Sequence, residues 1–349
     1  MKPDAPQAVR AGEDLDGRRL GEWLQSQSLP WQGITVEQYP RGHSNLTYRV
    51  RAPGAEWVLR RPPMGSRVAH AHDMVREARI LMKLHPVYPR APRVVAICED
   101  GAVLGAPFYL MDPVRGVILR GAAPRGELSS DLVRALCGAL VQTLVDLHAV
   151  DFRAAGLEGK PEGYVLRQVE GWTRRWHEAR TDEVPDVDAM ARWLLERIPP
   201  ERPAVFLHND FKYDNLVLDP ADLTRVAGVL DWEMSTAGDP LMDLGTALGY
   251  WLEEGDPEPL KAFAFGPTFL PGSFTRAQLV EEYGRRSGRD VSGMLFYYCF
   301  ALFKTAVVVQ QIYRRYREGL TQDERFAGFG IGVQILARSA VEAAARGSI

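Results

Sequence analysis

Phe206-Leu207-His208-Asn209-Asp210-Phe211-Lys212-Tyr213-Asp214-Asn215-Leu216-Val217-Leu218, followed after a short break by Val226-Ala227-Gly228-Val229-Leu230-Asp231-Trp232-Glu233, decides how this chain folds. The break, Asp219-Pro220-Ala221-Asp222, is turn chemistry between two apolar runs, and that pattern predicts a β-hairpin. In a hairpin the residue entering the first strand and the residue leaving the second share the open end. Asn215 and Asp231 are therefore expected as neighbours. An amide oxygen and a carboxylate are hard donors suited to Mg²⁺, which takes few protein ligands and completes its shell with phosphate oxygens and water. Asp210, earlier on the same loop, then serves to accept a proton from an attacking hydroxyl. Positioning, metal neutralisation and a carboxylate beside the nucleophile are what phosphoryl transfer requires. Glu233 projects to the same side as Asp231 if the strand continues, which makes it a candidate additional metal ligand.

Ahead of this stretch, Ile34–Tyr39, Leu46–Arg51 and Trp57–Arg60 read as short strands broken by Pro40-Arg41-Gly42 and Pro53-Gly54. Connections this short predict an antiparallel meander. Asp73–Leu84 carries Met74, Ala78, Leu81 and Met82 as a helical apolar stripe, and Arg93–Ile97 and Phe108–Met111 would complete a small sheet. From about Ser129 the chain turns helical: Leu132–Leu147, the Trp- and Arg-rich stretch Tyr164–Ala179, and most of Gln278–Arg346. A β-rich front and a helix-rich back predict an α+β, two-lobed architecture, with the boundary near Asp112–Gly116.

The composition, 46% apolar and 25% charged over 349 residues, is that of a globular protein, and a net charge of −3 offers no broad attraction for nucleic acid. Cys98, Cys137 and Cys299 are too scattered for a disulfide framework or a zinc site and are expected in the core. The leader MKPDAPQAVRAGEDLDGRRL lacks the apolar block of a secretory signal, so a cytoplasmic protein is expected. The richest apolar run, Met294–Phe303, is cut by Lys304, so it is expected as a buried helix rather than a membrane insertion. Gly328-Phe329-Gly330-Ile331-Gly332 lacks the strand and the spacing of a dinucleotide fingerprint and reads as the loop opening the last helix. His70 and His72, one residue apart, would leave a helix on different faces and do not form a metal pair.

The His208-x-Asp210-x-x-x-x-Asn215 pattern, with Asp231-Trp232 beyond it, resembles the catalytic loop and metal-binding segment of the aminoglycoside phosphotransferase and choline kinase-like family, distant relatives of protein kinases. The resemblance implies ATP and Mg²⁺ as cofactors. It implies a protein-kinase-like fold, with residues 1–112 as a small antiparallel-sheet, nucleotide-binding lobe and 113–349 as a larger, mainly helical lobe for catalysis and acceptor binding. It also implies Asp210 as the catalytic base, His208 as a residue holding the loop, and Asn215 and Asp231 as the metal ligands. Arg60, in Val58-Leu59-Arg60, stands where relatives carry a phosphate-gripping lysine, and Glu77 would hold it. Arginine can still bind phosphate oxygens bidentately. Arg61 is the competing register, and strand alternation lets only one of the two face the cleft.

Ser44 and Asn45, in the turn Gly42-His43-Ser44-Asn45, would offer donors to phosphate; an ordinary hairpin turn is the alternative. Met111 ends a strand resembling the hinge that pairs with adenine, or simply a buried strand. In Gly238-Asp239-Pro240-Leu241-Met242-Asp243-Leu244, Asp239 reads as a cap and Asp243 as a brace for the catalytic loop. Val58–Pro63, Leu147–Asp151 and Tyr164–Trp172 look most like the branch associated with acyl-CoA dehydrogenases. That branch implies a small-molecule hydroxyl acceptor of the hydroxyacyl or lipid-derived alcohol kind. The alternatives are an aminoglycoside-type antibiotic kinase and an inactive nucleotide-binding protein. Trp251, Phe296, Tyr297, Tyr298 and Phe300 would wall an acceptor pocket or fill the core.

Overall fold

Strand alternation early in the chain builds one antiparallel sheet. The computed structural model describes residues 5–40, 45–63, 73–121, 128–261, 264–321 and 323–349. Strands β1 (Thr35–Gln38), β2 (Leu46–Ala52), β3 (Ala55–Arg61), β4 (Val94–Cys98) and β5 (Phe108–Met111) lie in the order β1-β2-β3-β5-β4, every neighbouring pair antiparallel. Between β2 and β3 only Pro53 and Gly54 turn the chain, and Gly54 takes the left-handed φ of 78° that such a tight reversal needs. Strand β3 sits in the middle of the sheet and is buried from Trp57 through Arg61.

One face of the sheet packs under helix α1 (Gly17–Ser26): Leu20 and Leu24 join Tyr48, Val50, Leu59, Phe108 and Leu110 in a continuous apolar core. Helix α2 (Met74–Leu84) is capped by the Asp73 carboxylate and buries Met74, Glu77, Ala78, Leu81 and Leu84. Met82, expected on that stripe, is 54% exposed. One residue past Leu81 the helix has turned about 100°, and the stripe continues at Leu84 instead. A short helix α3 (Gly101–Leu104) precedes β5.

The expected hairpin forms, with β7 (Leu216–Leu218) antiparallel to β8 (Val226–Val229) and Leu216 opposite Val229. The Asp219 carboxylate accepts from the Ala221 amide and organises its turn. The chain divides into two compact units. The first comprises Met1–Ile118, Ala154–Leu157 and Asn215–Met234, so the hairpin belongs with the sheet.

The second unit comprises Leu119–Arg153, Glu158–Asp214 and Ser235–Ile349. It is built on helices α4 (Ser130–His148), α5 (Tyr164–Ala179), α6 (Pro185–Leu195), α7 (Pro240–Gly249), α8 (Glu258–Lys261), α9 (Arg276–Ser287), α10 (Met294–Arg317) and α11 (Phe329–Arg346). A two-stranded ribbon of β6 (Val205–Leu207) and β9 (Thr236–Gly238) threads it. Trp251, Phe296, Tyr297, Tyr298 and Phe300 are all buried and serve as core. Helix α10 corrects one sequence expectation. Its length and composition would suffice to cross a membrane, because the apolar run does not stop at Lys304, which is itself buried. Two-thirds of its most apolar stretch is packed inside the fold, as expected of a core helix. All three cysteines are free and buried. The fold is α+β.

Candidate active site

Arg60 is the centre of an ionic cluster in the first unit. On β3 it points toward α2, where its Nη1 donates to Glu77 Oε1 at 2.8 Å, while its Nη2 donates to Asp231 Oδ1 at 2.9 Å. Arg61, on the opposite side of the strand, donates to the Leu104 and Pro62 carbonyls instead. The guanidinium fork gives each carboxylate its own N–H. Burial opposes the Arg60 charge, yet Glu77, Asp231 and the neighbouring Tyr109 raise its pKa well above the ordinary value. Glu77 is fully buried, and its Oε1 also accepts from the Trp232 amide at 3.1 Å. Burial and the nearby Asp231 charge push its carboxyl up, against the pull of Arg60.

The hairpin supplies the rest of this cluster. The Leu230 amide donates to the Asn215 carbonyl at 2.8 Å, which closes the ribbon and sets Asn215 beside the strand that delivers Asp231. Asp231 takes a left-handed φ of 69°, rare for a residue with a side chain and a frequent mark of functional turns. Trp232 is anchored by its indole N–H on the Val229 carbonyl at 2.8 Å, with its ring edge-on to Tyr88. Glu233 Oε2 accepts from Asn45 Nδ2 at 2.7 Å, so Asn45 contacts a carboxylate of the cluster. Burial first, and then Asp231, push Glu233 up to about 8.

Arg60 thus bridges two carboxylates directly, and a third, Glu233, lies within electrostatic reach. Asn45 Oδ1 is buried with no hydrogen-bond partner among the described residues. Oxygen donors of this hard kind fit a divalent cation such as Mg²⁺, whose charge would favour the ionised form of Glu233. Met111, the last residue of β5, is buried between β3 and β4, paired with Val58 on one side and Val94 on the other. Ser44, His70 and His72 lie outside the described residues.

The second unit holds the loop of His208 and Asp210. Helix α7, capped by Asp239 on the Leu241 amide, buries Asp243 completely. The Asp243 carboxylate accepts from the His208 amide at 2.6 Å and from the Asn209 amide at 2.8 Å. His148 of α4 lies 3.2 Å from the same carboxylate and 2.7 Å from the Tyr283 hydroxyl. Asn209 takes a left-handed φ of 63°. The Asp210 amide donates to His208 Nδ1 at 3.2 Å, so His208 holds the backbone of Asp210, two residues on.

Asp210 itself is ion-paired. Lys212 Nζ lies 2.9 Å from Oδ1 and 2.7 Å from Oδ2, and the Tyr250 hydroxyl donates to Oδ1 at 2.8 Å. The Lys212 ammonium also sits over the Tyr250 and Phe265 rings, at 4.7 Å and 5.1 Å. Burial would raise the Asp210 carboxyl, but Lys212 and, behind it, Lys304 hold it below the ordinary range. It is therefore an ionised carboxylate at neutral pH. Lys212 stood within the decisive stretch of sequence without a role. Tyr250 is 40 residues away along the chain and gave no signal.

Arg60, Glu77 and Asp231 are brought together within the first unit, with Asn215 on the same hairpin; Asp210 and His208 share one loop of the second. Asp210 precedes Asn215 by only five residues.

A family model described as the phosphotransferase enzyme family matches residues 35–279. Among curated proteins, acyl-CoA dehydrogenase family member 11 of Gallus gallus is 32% identical over 325 residues, covering 91% of this chain and 41% of that protein. The chain spans between about a quarter and two fifths of the curated relatives it matches. A provisionally assigned aminoglycoside phosphotransferase of Ralstonia eutropha superposes with a TM-score of 0.80 at 29% identity, over 95% of this chain and 99% of that one. A thermostable aminoglycoside phosphotransferase mutant, solved with ADP and hygromycin B, shares the fold with a TM-score of 0.59 at 15% identity, over 92% of this chain and 97% of that one.

Proposed function

The chain belongs to the phosphotransferase enzyme family, and from that premise we propose that it transfers the γ-phosphate of ATP, with Mg²⁺, to a hydroxyl of a small molecule. The observation that most supports this reading is the first unit's cluster of Arg60 with the Glu77, Asp231 and Glu233 carboxylates. Its hard oxygen donors suit a metal ion, and the guanidinium at its centre suits phosphate oxygens. The ADP complex of a protein sharing the fold supports an adenine nucleotide as donor.

In this reading Asn215 and Asp231 hold the metal, with Glu233 close by, and the ion when bound would neutralise charge on the transferring phosphoryl group. Arg60, steadied by Glu77, grips phosphate oxygens. Asp210 orients the acceptor hydroxyl. As that oxygen bonds to the γ-phosphorus and the bridging P–O bond breaks, its proton passes to the Asp210 carboxylate and then to solvent, and ADP leaves. With its pKa held low, Asp210 is a weak base. That suffices for a loose phosphoryl-transfer transition state, in which the nucleophile needs alignment more than early deprotonation.

For the acceptor we favour a hydroxylated acyl compound or another lipid-derived alcohol, which similarity to chains named as acyl-CoA dehydrogenases supports. Similarity to the Ralstonia eutropha structure favours an aminoglycoside as the second reading. The test is acceptor-dependent ADP release across panels of both classes, with wild type and Asp210→Asn. Asp210→Asn is expected to keep its fold and its Mg·ATP binding and to lose transfer. A variant that transfers at the wild-type rate would remove Asp210 from the mechanism. Release stimulated only by aminoglycosides would replace the first acceptor class with the second.

A further inference from the structure

Lysine rarely enters a protein core without a task, because desolvating its ammonium is costly. Lys304, midway along α10, is 6% exposed. Its Nζ donates to the Asn209 carbonyl at 2.8 Å and lies 5.8 Å from the centre of the Trp172 ring, which Arg175 also faces. Asn209 is the residue immediately before Asp210, and its left-handed φ of 63° is a conformation that asparagine tolerates better than most residues, which makes it a natural turn for neighbouring groups to fix. Among the groups that hold it, Asp243 accepts from its amide, the Tyr164 hydroxyl donates to its side-chain oxygen at 3.0 Å, and Lys304 donates to its carbonyl. The first two come from α7 and α5. The third carries a full charge on a 24-residue helix.

We propose that Lys304 is a positioning residue of the phosphoryl-transfer step: its ammonium fixes the Asn209 carbonyl, and with it the left-handed turn that presents Asp210. The proposal rests on the phosphotransferase reading above. A protonated Lys304 also contributes, behind Lys212, to keeping Asp210 ionised. The charged groups facing it are Asp210 and Lys212 from the loop, Asp243 from α7 and Arg175 from α5. Burial draws Lys304 from 10.5 down to about 8, against the pull of Asp210 and Asp243. Activity should therefore decline as pH rises through about 8, where the loop loses this charge. The effect on stability has the opposite sign. A lysine with a lowered folded pKa costs stability below pH 8, and that cost disappears as pH climbs toward 10.5.

The experiment compares wild type, Lys304→Arg and Lys304→Met as full chains. It measures kcat and KM across pH, thermal midpoints across pH, and amide hydrogen exchange in the peptide covering residues 207–212. Lys304→Met is expected to lose roughly 100-fold in kcat with little change in either KM, as a misplaced catalytic group does. Lys304→Arg, which does not titrate, should recover part of kcat and shift the alkaline limb upward. Exchange at Asn209 and Asp210 should accelerate in Lys304→Met, and the wild-type midpoint should gain on that of Lys304→Met between pH 8 and 10.5. Wild-type kcat in Lys304→Met, or an unmoved alkaline limb in an active Lys304→Arg, would overturn the proposal. If the wild type transfers phosphate to no acceptor, the phosphotransferase reading fails. The exchange comparison then still decides whether Lys304 holds the turn, and unchanged exchange would count against it.

Discussion

Asp210 carries a lysine on both oxygens and a tyrosine hydroxyl on one, so its basicity is set by Lys212 on its own loop and by Tyr250 from outside it. Tyr250→Phe removes one donor while leaving the aromatic packing against Phe265 intact. A hydrogen bond worth about 1 kcal/mol to the ionised form corresponds to roughly 0.7 pH unit. The acidic limb of the pH–rate profile is therefore expected to move up by about 0.7 unit, with a several-fold fall in kcat, and steady-state kinetics across pH checks it. Neither Tyr250 nor Lys304 was legible in the sequence. Their partners lie 40 and 95 residues away, and only packing brings such pairs together. Asp210, Asn215 and Asp231 were legible because one loop and one hairpin carry them all. The pairing of Arg60 with Glu77 was legible as a family expectation, whereas its second contact with Asp231 was not.

Among the elements, the β7–β8 hairpin could be read because turn residues and apolar runs meet at close range. Its support could not. Val117 bridges to Leu218, and Gly116 lies so close to β7 that an added Cβ would sit 2.3 Å from the Leu218 carbonyl oxygen and 2.6 Å from a Val217 methyl. Gly116→Ala should therefore displace the strand that follows Asn215, at a cost of about 1–3 kcal/mol in stability. Thermal denaturation checks it, with Gly255→Ala, where an added Cβ meets nothing within 4 Å, as the neutral control. Sheet order also escaped the sequence: β5 inserts between β3 and β4, a long-range choice that local alternation does not encode. The stripe of α2 was misread by one position at Met82, because periodicity locates a face only to within about one residue.

For the whole molecule, ligand linkage offers a test that requires no acceptor. If Mg·ATP binds the folded chain alone, a concentration 100-fold above its Kd adds about 2.7 kcal/mol. For a chain of this size that is a rise in Tm of roughly 4 °C. The rise should vanish with EDTA and shrink in Asp231→Ala; differential scanning fluorimetry reads both. The division into two units, with Asn215–Met234 grouped into the first, bears on how the protein is made. That segment leaves the ribosome only after residues 119–214, several seconds later at roughly 5–20 residues per second. Until then Arg60 has no Asp231, Glu77 has no Trp232 amide, and Tyr88 lacks the ring that packs on it. The N-terminal unit cannot be completed first. A nascent chain or fragment ending near residue 118 would carry an unfinished ion cluster and bare apolar surface, and is a natural client for a chaperone.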